Sequence, residues 1–458
     1  MLALLVSLSL TSCRETIDPY TPGGGGGTAQ TDTVRMYPDQ FDYPDHLDYV
    51  FNSNTLSRII LDFSVEEWNK LLSYYDRNPD NEEYVKAKFT FYQDGKIETV
   101  DTVGVRLRGN TSRRRPEGSN GQTHKSSGAD WHHAHFSIDF DQYNDVQRFH
   151  KLKKLDLKWF KDDPTYVHEP FCYDLMKRCG ISTEPLSAYS RLTISVAGDA
   201  KSAYFGIYDM IEHLDKRYLN DRESLWGDSE GYLWKASWGA TLKDPNASMG
   251  IEEIELDNSK SKKYTYNLKT NEENLAAAKL QLSAFITLFN SKSGDDFTTW
   301  FESRCDVNLL LATYAVSVGV GHWDDYWNNC NNYYIYFNSK GRFYFIPYDL
   351  DNTIGTSLMM DSGRQDPLHW GDDSKNQLIA KLLTFDKYKK QYIMYMKALA
   401  NSENGLMDYT ASTARIRAMQ TMIVSSVSND TGEDEAVEDK PASWGNHSEY
   451  RLLEPSAA

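Results

Sequence analysis

The spacing of apolar residues changes near residue 240, and this change constrains the fold more than any other feature. Before it, apolar and polar residues alternate as in strands in "EYVKAKFTFY", "VDTVGVRLRG" and "HAHFSIDFD", with a turn predicted at "QDGK". After it, helical spacing prevails in "NEENLAAAKLQLSAFITLFN", "DVNLLLATYAVSVGVG" and "NQLIAKLLTFDKYKKQYIMYMKALAN". This order predicts an α+β fold with a β-rich lobe over residues 46–240, a mainly helical lobe over residues 241–458 and a cleft between them.

Three further segments of the first half have recognisable ends. "RIILDFSVEEWNKLLSYY" predicts a strand followed by a helix, with Ser64 as N-cap and Glu67 three residues later. "VHEPFCYDLMKRCGI" predicts an amphipathic helix that ends at Gly180. "YSRLTISVAGDAKSAYFGIYDMIE" predicts a hairpin, and the polar residues 240–272 predict a loop or small insertion.

The N-terminus has the features of an export signal. An apolar run from Leu2 to Leu10 leads into "LTSC", which predicts a lipoprotein signal peptide over residues 1–13 with lipidation at Cys13. Five consecutive glycines predict a flexible tether over residues 14–45. No later stretch reaches the roughly 18 apolar residues that span a bilayer. We therefore expect a cell-envelope lipoprotein held by its lipid alone, at the outer membrane, facing the periplasm or the surface.

Charge and cysteine content exclude several classes of function. The net charge of −17 argues against nucleic-acid partners and against electrostatic binding to anionic membranes. The segment "RLRGNTSRRR" from Arg106 to Arg115 is a local basic exception. The spacing of the remaining cysteines predicts neither a disulfide framework nor a metal site, so we expect buried thiols at Cys172, Cys179, Cys305 and Cys330.

Two segments separated by an aromatic block carry candidate catalytic residues. His322, Asp324 and Asn329 have the H-x-D-x-x-x-x-N spacing of a protein-kinase catalytic loop, in which Asp accepts the hydroxyl proton and Asn holds magnesium. "GRFYFIPYDLDNTIG" predicts a strand that ends at Asp349, a candidate metal ligand. Asp351 is a second ligand or a turn cap. From spacing alone, a hairpin capped by Asp and Asn is the alternative interpretation.

The residues that would grip phosphate are less evident. Neither G-x-x-x-x-G-K-[ST] nor G-x-G-x-x-G occurs, which disfavours a P-loop enzyme and a standard protein kinase. Arg106 and Arg108 alternate on a predicted strand, so both face the same side and can pair with phosphate oxygens. A solvated basic strand face is the alternative.

Other motifs favour structural roles. The cluster His132, His133 and His135 suggests a metal site, but neighbours on a strand point apart, and we interpret these residues as buried polar side chains. Core packing is favoured over sugar stacking for Trp370 and Trp444. "GDSEG" at residues 227–231 lacks a preceding strand and predicts a turn, not a nucleophile elbow.

Taken together and in order, several blocks resemble the CotH-type secreted and spore-coat protein kinases. These blocks run from Val103 to Gly355 and are "VGVRLRGNTS", "YVHEPFCYDLMKRCGI", "YFGIYDMIEHLD", "GYLWK", "HWDDYWNNCNNYYIY" and "FYFIPYDLDNTIG". The lipobox and tether are similar to those of Bacteroidetes-type lipoprotein members. The resemblance implies an atypical protein-kinase-like fold that transfers the γ-phosphate of ATP to protein Ser or Thr with Mg or Mn. It also implies Asp324 as catalytic base, Asp349 as metal ligand and Asn329 as supporting ligand.

Two departures from the family pattern leave the nucleotide-binding lysine open. The family strand that follows R-G-N often carries a lysine pair, and here it is "HHAHFSIDFD"; the next helix opens with His168-Glu169 instead of Arg-Glu. The candidates are Lys125, Lys158 and Lys235, of which Lys235 is preferred.

Two classes of function follow. The first is a lipid-anchored kinase whose acceptor is a basic, Ser-rich protein, since a basic acceptor suits the acidic chain. The alternative is a non-catalytic surface module, an adhesin or a glycan- or protein-binding lipoprotein on the same fold. Aromatic richness, with 30 Tyr and 11 Trp, and the unassigned lysine favour the alternative.

Overall fold

A computed structural model describes residues 36, 41–126, 130–355, 364–371, 374–427 and 435–436. The predicted signal peptide, Cys13, most of the predicted tether and Trp444 lie outside these residues. None of the described helices combines the length and apolarity that crossing a bilayer requires.

The first half of the described chain is mainly β. In chain order its elements are α1 Asp45–Val50, β1 Ser57–Phe63, α2 Val65–Arg77, β2 Val85–Gln93, β3 Lys96–Arg108, β4 His135–Asp139, β5 Lys154–Trp159, α3 His168–Arg178, β6 Ser187–Val196 and β7 Ala203–Glu212. The second half adds α4 Lys216–Asp221, α5 Glu223–Trp226, β8 Tyr232–Ala236, β9 Met249–Gly250, β10 Tyr266–Leu268, α6 Leu275–Ser291, α7 Gly294–Arg304, α8 Val307–Gly319, β11 Tyr333–Phe337, β12 Phe343–Pro347, α9 Gln377–Leu382, α10 Asp386–Ala400, α11 Tyr409–Val427 and β13 Glu435–Ala436. The α+β class is therefore confirmed.

The larger sheet closes on itself. Its order is β13-β7-β5-β4-β3-β2-β1-β6, and β6 pairs with β7 as well as with β1. The β1–β6 pair is parallel. The turn predicted at "QDGK" is confirmed between β2 and β3, with Asp94 at φ 50° and Gly95 at φ 74°, a conformation that matches the twist of a hairpin. Alternation along these strands fills the interior with apolar side chains, including Leu61, Phe89 and Phe136.

The predicted start of α2 and the predicted end of α3 are also confirmed. The Ser64 hydroxyl accepts a hydrogen bond from the backbone N–H of Glu67 at 3.2 Å. Helix α3 ends before Gly180, which has φ 77°; the N–H of Ile181 donates to the carbonyl of Met176 at 3.0 Å and closes the last turn. These ends matter because α3 carries part of the candidate site.

A smaller sheet contains strands from both sides of residue 240, near which the spacing of apolar residues changes. Its order is β12-β11-β8-β10-β9, so β8 pairs with β11 across a long separation in sequence. The polar segment 240–272 supplies β9 and β10 at its edge. Under this sheet, α8 is almost completely buried and packs against α10 and α3. All four described cysteines are free and buried, as expected.

One predicted helix is in fact two. The segment from Asn376 to Asn401 breaks between α9 and α10, where Phe385 is extended at φ −93° and ψ 119°. The Thr384 hydroxyl donates to the carbonyl of Lys381 at 2.7 Å. This bond occupies an acceptor that a continuing helix would use, which is a known way for threonine to compete with helical hydrogen bonds.

Candidate active site

One lysine joins three elements of the fold. Lys158, on β5, places its Nζ 2.7 Å from Oε2 of Glu169 on α3 and 3.0 Å from Oδ2 of Asp351. The same Nζ contacts Oδ1 of Asp349, just after β12. The lysine is largely buried. A single ammonium thus ties the large sheet, α3 and the end of the small sheet together.

Helix α3 also binds the segment after β12 directly. Oε1 of Glu169 accepts the N–H of Leu350 at 3.2 Å, and the hydroxyl of Tyr173 accepts the N–H of Asp349 at 3.1 Å. Asp349 has φ 60°, a left-handed conformation that is uncommon for a side-chain-bearing residue. These contacts, together with the lysine, hold the strained aspartate in place.

The loop after α8 orients Asp324. Oδ1 of Asp324 accepts the amide N–H of Asn329 at 2.6 Å, and Oδ2 accepts the amide N–H of Asn332 at 3.1 Å. Asn332 also donates to the backbone carbonyl of Asp324 at 2.9 Å. Behind the loop, Trp370 is buried and donates its indole N–H to the carbonyl of His322 at 3.2 Å. The prediction that Trp370 belongs to the core is confirmed.

Burial and neighbouring charges set the protonation of these groups. Burial raises the pKa of Asp324, and its hydrogen bond from Asn329 opposes that shift. Burial lowers the pKa of His322 to about 4, so its imidazole is neutral at pH 7. Burial acts to raise the pKa of Asp349, but Lys158 and Arg108 hold it below its usual value. Asp349 is therefore ionised at neutral pH.

Asp351 and Glu169 are the other two carboxyl groups that contact Lys158, and their pKa values rise instead of falling. Burial raises the pKa of Asp351 far above its usual range, against the attraction of Lys158. Burial likewise raises the pKa of Glu169. The negative charge of Asp349 adds to both shifts, because it disfavours a second and a third charge around the same ammonium.

The two predicted phosphate-binding arginines share a face of β3 but differ in their partners. Arg108 donates to the hydroxyl of Tyr348 at 2.8 Å and lies 3.4 Å from Asp156, so it sits beside the end of β12. Arg106 pairs with Glu82 at 3.2 Å and lies over the ring of Tyr84. Only Arg108 contacts the residue next to Asp349.

The three candidate lysines lie in different places. Lys125 is exposed on the loop before β4. Lys235, on β8, is paired in register with Tyr334 and forms no salt bridge with any described residue; it acts to lower the pKa of Asp349 and so lies near the site. Lys158 alone contacts Asp349 and Glu169. The sequence signal that favours Lys158 is a strand lysine followed by a glutamate in the first turn of the next helix.

The oxygen donors near Lys158 suit a hard divalent cation. Asp349 and Asp351 offer carboxylates with 34% and 24% of their side chains exposed. Asn329 carries an amide oxygen that accepts the indole N–H of Trp238 at 3.2 Å. Its amide N–H binds Asp324, whose pKa is raised in part by the charge of Asp349. No trio of His, Cys, Asp or Glu within the described ranges is arranged to hold a metal. Asp349, Asp351 and Asn329 together fit Mg²⁺ or Mn²⁺ sites, which use one or two carboxylates and complete their coordination with phosphates and water.

The remaining motifs have structural roles. His133 stacks on Trp159 with ring centroids 4.4 Å apart, and Nδ1 of His135 accepts the N–H of Trp159 at 2.8 Å. These two histidines are buried, as expected, but His132 is half-buried and lies 3.6 Å from Asp130. The "GDSEG" segment is a turn that leads into β8, with Gly227 at φ 84°.

Comparison with protein-family models finds a match over most of the chain. A family model described as CotH kinase protein matches residues 105–451. The curated proteins searched contain no match to the chain. The matched range includes every candidate site residue on β3, β5, α3, β8, the loop after α8 and the end of β12.

Proposed function

Because this chain belongs to the CotH kinase family, we propose that it transfers the γ-phosphate of ATP to serine or threonine hydroxyls of a protein, with Mg²⁺ or Mn²⁺. The contact of Lys158 with both Glu169 and Asp349 carries this proposal. A strand lysine paired with a helix glutamate, next to an aspartate at a strand end, is the set of parts that protein kinases use to hold nucleotide and metal.

Lys158 is the residue we assign to the nucleotide phosphates, in place of Lys235. Its stem is held on β5 and its ammonium by Glu169, so it enters the site already oriented. Arg108 adds a second cation beside Tyr348. Lys235 and Arg106 lie farther from the carboxylates and are assigned to the outer part of the phosphate site.

Asp349 and Asp351, with Asn329 as supporting ligand, are the residues that would hold the divalent cation. When bound with nucleotide, the cation neutralises charge on the transferring phosphoryl group. Asn329 would present its amide oxygen only after that oxygen is released by Trp238.

Asp324 is the proposed catalytic base. As the acceptor hydroxyl oxygen bonds to the γ-phosphorus, its proton passes to the carboxylate of Asp324 and the bond to the departing ADP oxygen breaks. The amides of Asn329 and Asn332 fix the carboxylate in one orientation. Fixed orientation is the main way such a site lowers the barrier.

The cellular setting is also a proposal. Lipidation of Cys13 and the tether would attach the enzyme to the cell envelope, at the outer membrane, without a membrane-spanning helix. The net charge of −17 supports a basic, Ser-rich acceptor protein and not nucleic acid.

Calorimetry combined with a transfer assay tests the proposal. We expect the purified protein to bind ATP in the presence of Mn²⁺ and to label itself or a basic serine-containing peptide with the γ-phosphate. A folded protein that binds no nucleotide at millimolar concentration would instead favour the non-catalytic surface module.

A further inference from the structure

The ammonium of Lys158 occupies the place between the two carboxylates proposed to hold the metal. It contacts Oδ1 of Asp349 and lies 3.0 Å from Oδ2 of Asp351. A cation bound to these oxygens must compete with the lysine for them. Because the lysine side chain is only 13% exposed, water screens this pairing weakly.

We propose that Lys158 is a built-in counter-ion that excludes the divalent cation from Asp349 and Asp351 until nucleotide draws it away. This inference rests on the proposed function for the identity of the ligands, but not on catalysis. Phosphate oxygens offer the ammonium a new partner, and its departure frees both carboxylates. Metal and nucleotide therefore bind together, and metal alone binds weakly.

The Lys158 ammonium can move away from Asp349 and Asp351 without a change in the fold. Lysine carries its charge on a flexible stem of four carbons and can change partners without moving the backbone. Glu169 remains available as a partner for Lys158. Its Oε1 accepts the backbone N–H of Leu350, which leaves its Oε2 to pair with the lysine. When Asp349 and Asp351 bind the metal, Lys158 keeps Glu169 as an anionic partner.

Asp209 offers a second acceptor. It lies opposite Lys158 in the β5–β7 register, and both line one small cavity together with Glu169 and Asp351. Oδ2 of Asp209 is buried and has no hydrogen-bond partner among the described residues. A buried, unpaired oxygen is costly, and an incoming ammonium would satisfy it.

Mn²⁺ binding in the absence of nucleotide tests the proposal. Free Mn²⁺ is measured by electron paramagnetic resonance for the wild-type protein, K158M, K158Q and K161M. Lys161 lines the same cavity but pairs with Asp162 at 3.3 Å, so K161M is the matched control. We expect K158M and K158Q to bind Mn²⁺ at least about tenfold more tightly than wild type, and K161M to match wild type.

The double variant K158M/D349N tests whether Asp349 binds the metal. It should lose the increase in Mn²⁺ affinity that we expect for K158M. Equal affinity in wild type and the Lys158 variants would overturn the proposal, as would a gain that survives D349N. If a Lys158 variant is unstable, Mn²⁺ should restore its melting temperature, because the metal replaces the missing ammonium. A variant that stays unfolded in millimolar Mn²⁺ contradicts the proposal. No transfer is measured, so these results stand apart from those that test phosphotransfer.

Discussion

Trp238 donates its indole N–H to Oδ1 of Asn329 at 3.2 Å. The indole is 73% exposed, on a tight turn from Ser237 to Ala240 in which Gly239 adopts φ 88°. The turn is anchored to the loop after α8, since the N–H of Ala240 donates to the carbonyl of Cys330 at 3.1 Å. An exposed side chain thus holds the oxygen that is proposed to contact the metal.

Replacing Trp238 with Phe should make the site easier to load with metal. The ring is kept while the N–H that occupies Oδ1 of Asn329 is removed. One hydrogen bond contributes about 0.5–1 kcal/mol, so the Mn²⁺ concentration for half-maximal transfer should fall about two- to fivefold. Y409F, at an aromatic side chain that is 84% exposed, is the control. A higher metal requirement in W238F would show that Trp238 positions Asn329 instead of competing for it.

Replacing Glu169 with Gln should disable the site without unfolding the protein. Lys158 loses its 2.7 Å ion pair on α3 and keeps charged partners only in the aspartates. We expect transfer to fall at least about tenfold, because the lysine is no longer held for the phosphates. E66Q removes an exposed carboxylate that pairs with Lys70 at 3.3 Å and should leave transfer unchanged. Full activity in E169Q would remove Glu169 from the mechanism.

Glu184 should make stability depend on pH. It is fully buried, accepts the hydroxyl of Tyr43 at 2.7 Å and leaves Oε2 without a described partner. Burial raises its pKa from 4.5 to about 8. Between these values the folded protein keeps a proton that the unfolded chain releases. The contribution of Glu184 to stability is therefore complete below about pH 4.5 and is lost as the pH rises towards 8, by at most about 1.4 kcal/mol per pH unit.

The E184Q variant isolates this effect. Its free energy of unfolding lacks the titrating group, so wild type should lose stability relative to E184Q between pH 6 and pH 9. Urea denaturation at both pH values measures the difference. Parallel pH profiles for the two proteins would mean that Glu184 has an ordinary pKa.

The N-cap of α2 gives a prediction about the fold alone. S64A removes the hydroxyl that accepts the N–H of Glu67 and should lower the free energy of unfolding by about 1 kcal/mol. S64D keeps an acceptor at the N-cap and should restore most of the loss. Equal losses in both variants, measured by urea denaturation, would show that the cap is not the cause.

Local patterns predicted much of this molecule because their physical causes are local. Alternation predicted β2, β3 and β4, and a glycine predicted the end of α3. The break between α9 and α10 escaped because a threonine inside a helical pattern gives no warning that its hydroxyl will take a helical carbonyl.

The partners of Lys158 could not be predicted from local sequence patterns. Alternation assigns a strand residue to a face, but only the packing of α3 and the end of β12 shows which carboxylates that face meets. The motif "GYLWK" favours Lys235, because it is a local pattern that the sequence shows directly. The contact between Trp238 and Asn329 joins residues 91 positions apart and has no local signal at all.

Transfer of γ-phosphate by D324N tests the central claim most directly. The full chain is incubated with labelled ATP, Mn²⁺ and a basic serine-containing peptide, and D101N, which alters a carboxylate with 90% of its side chain exposed, serves as control. We predict that D324N binds nucleotide normally but loses at least about a hundredfold in transfer rate, because the proton acceptor is gone. D101N should match wild type. Undiminished transfer by a folded D324N would contradict the account.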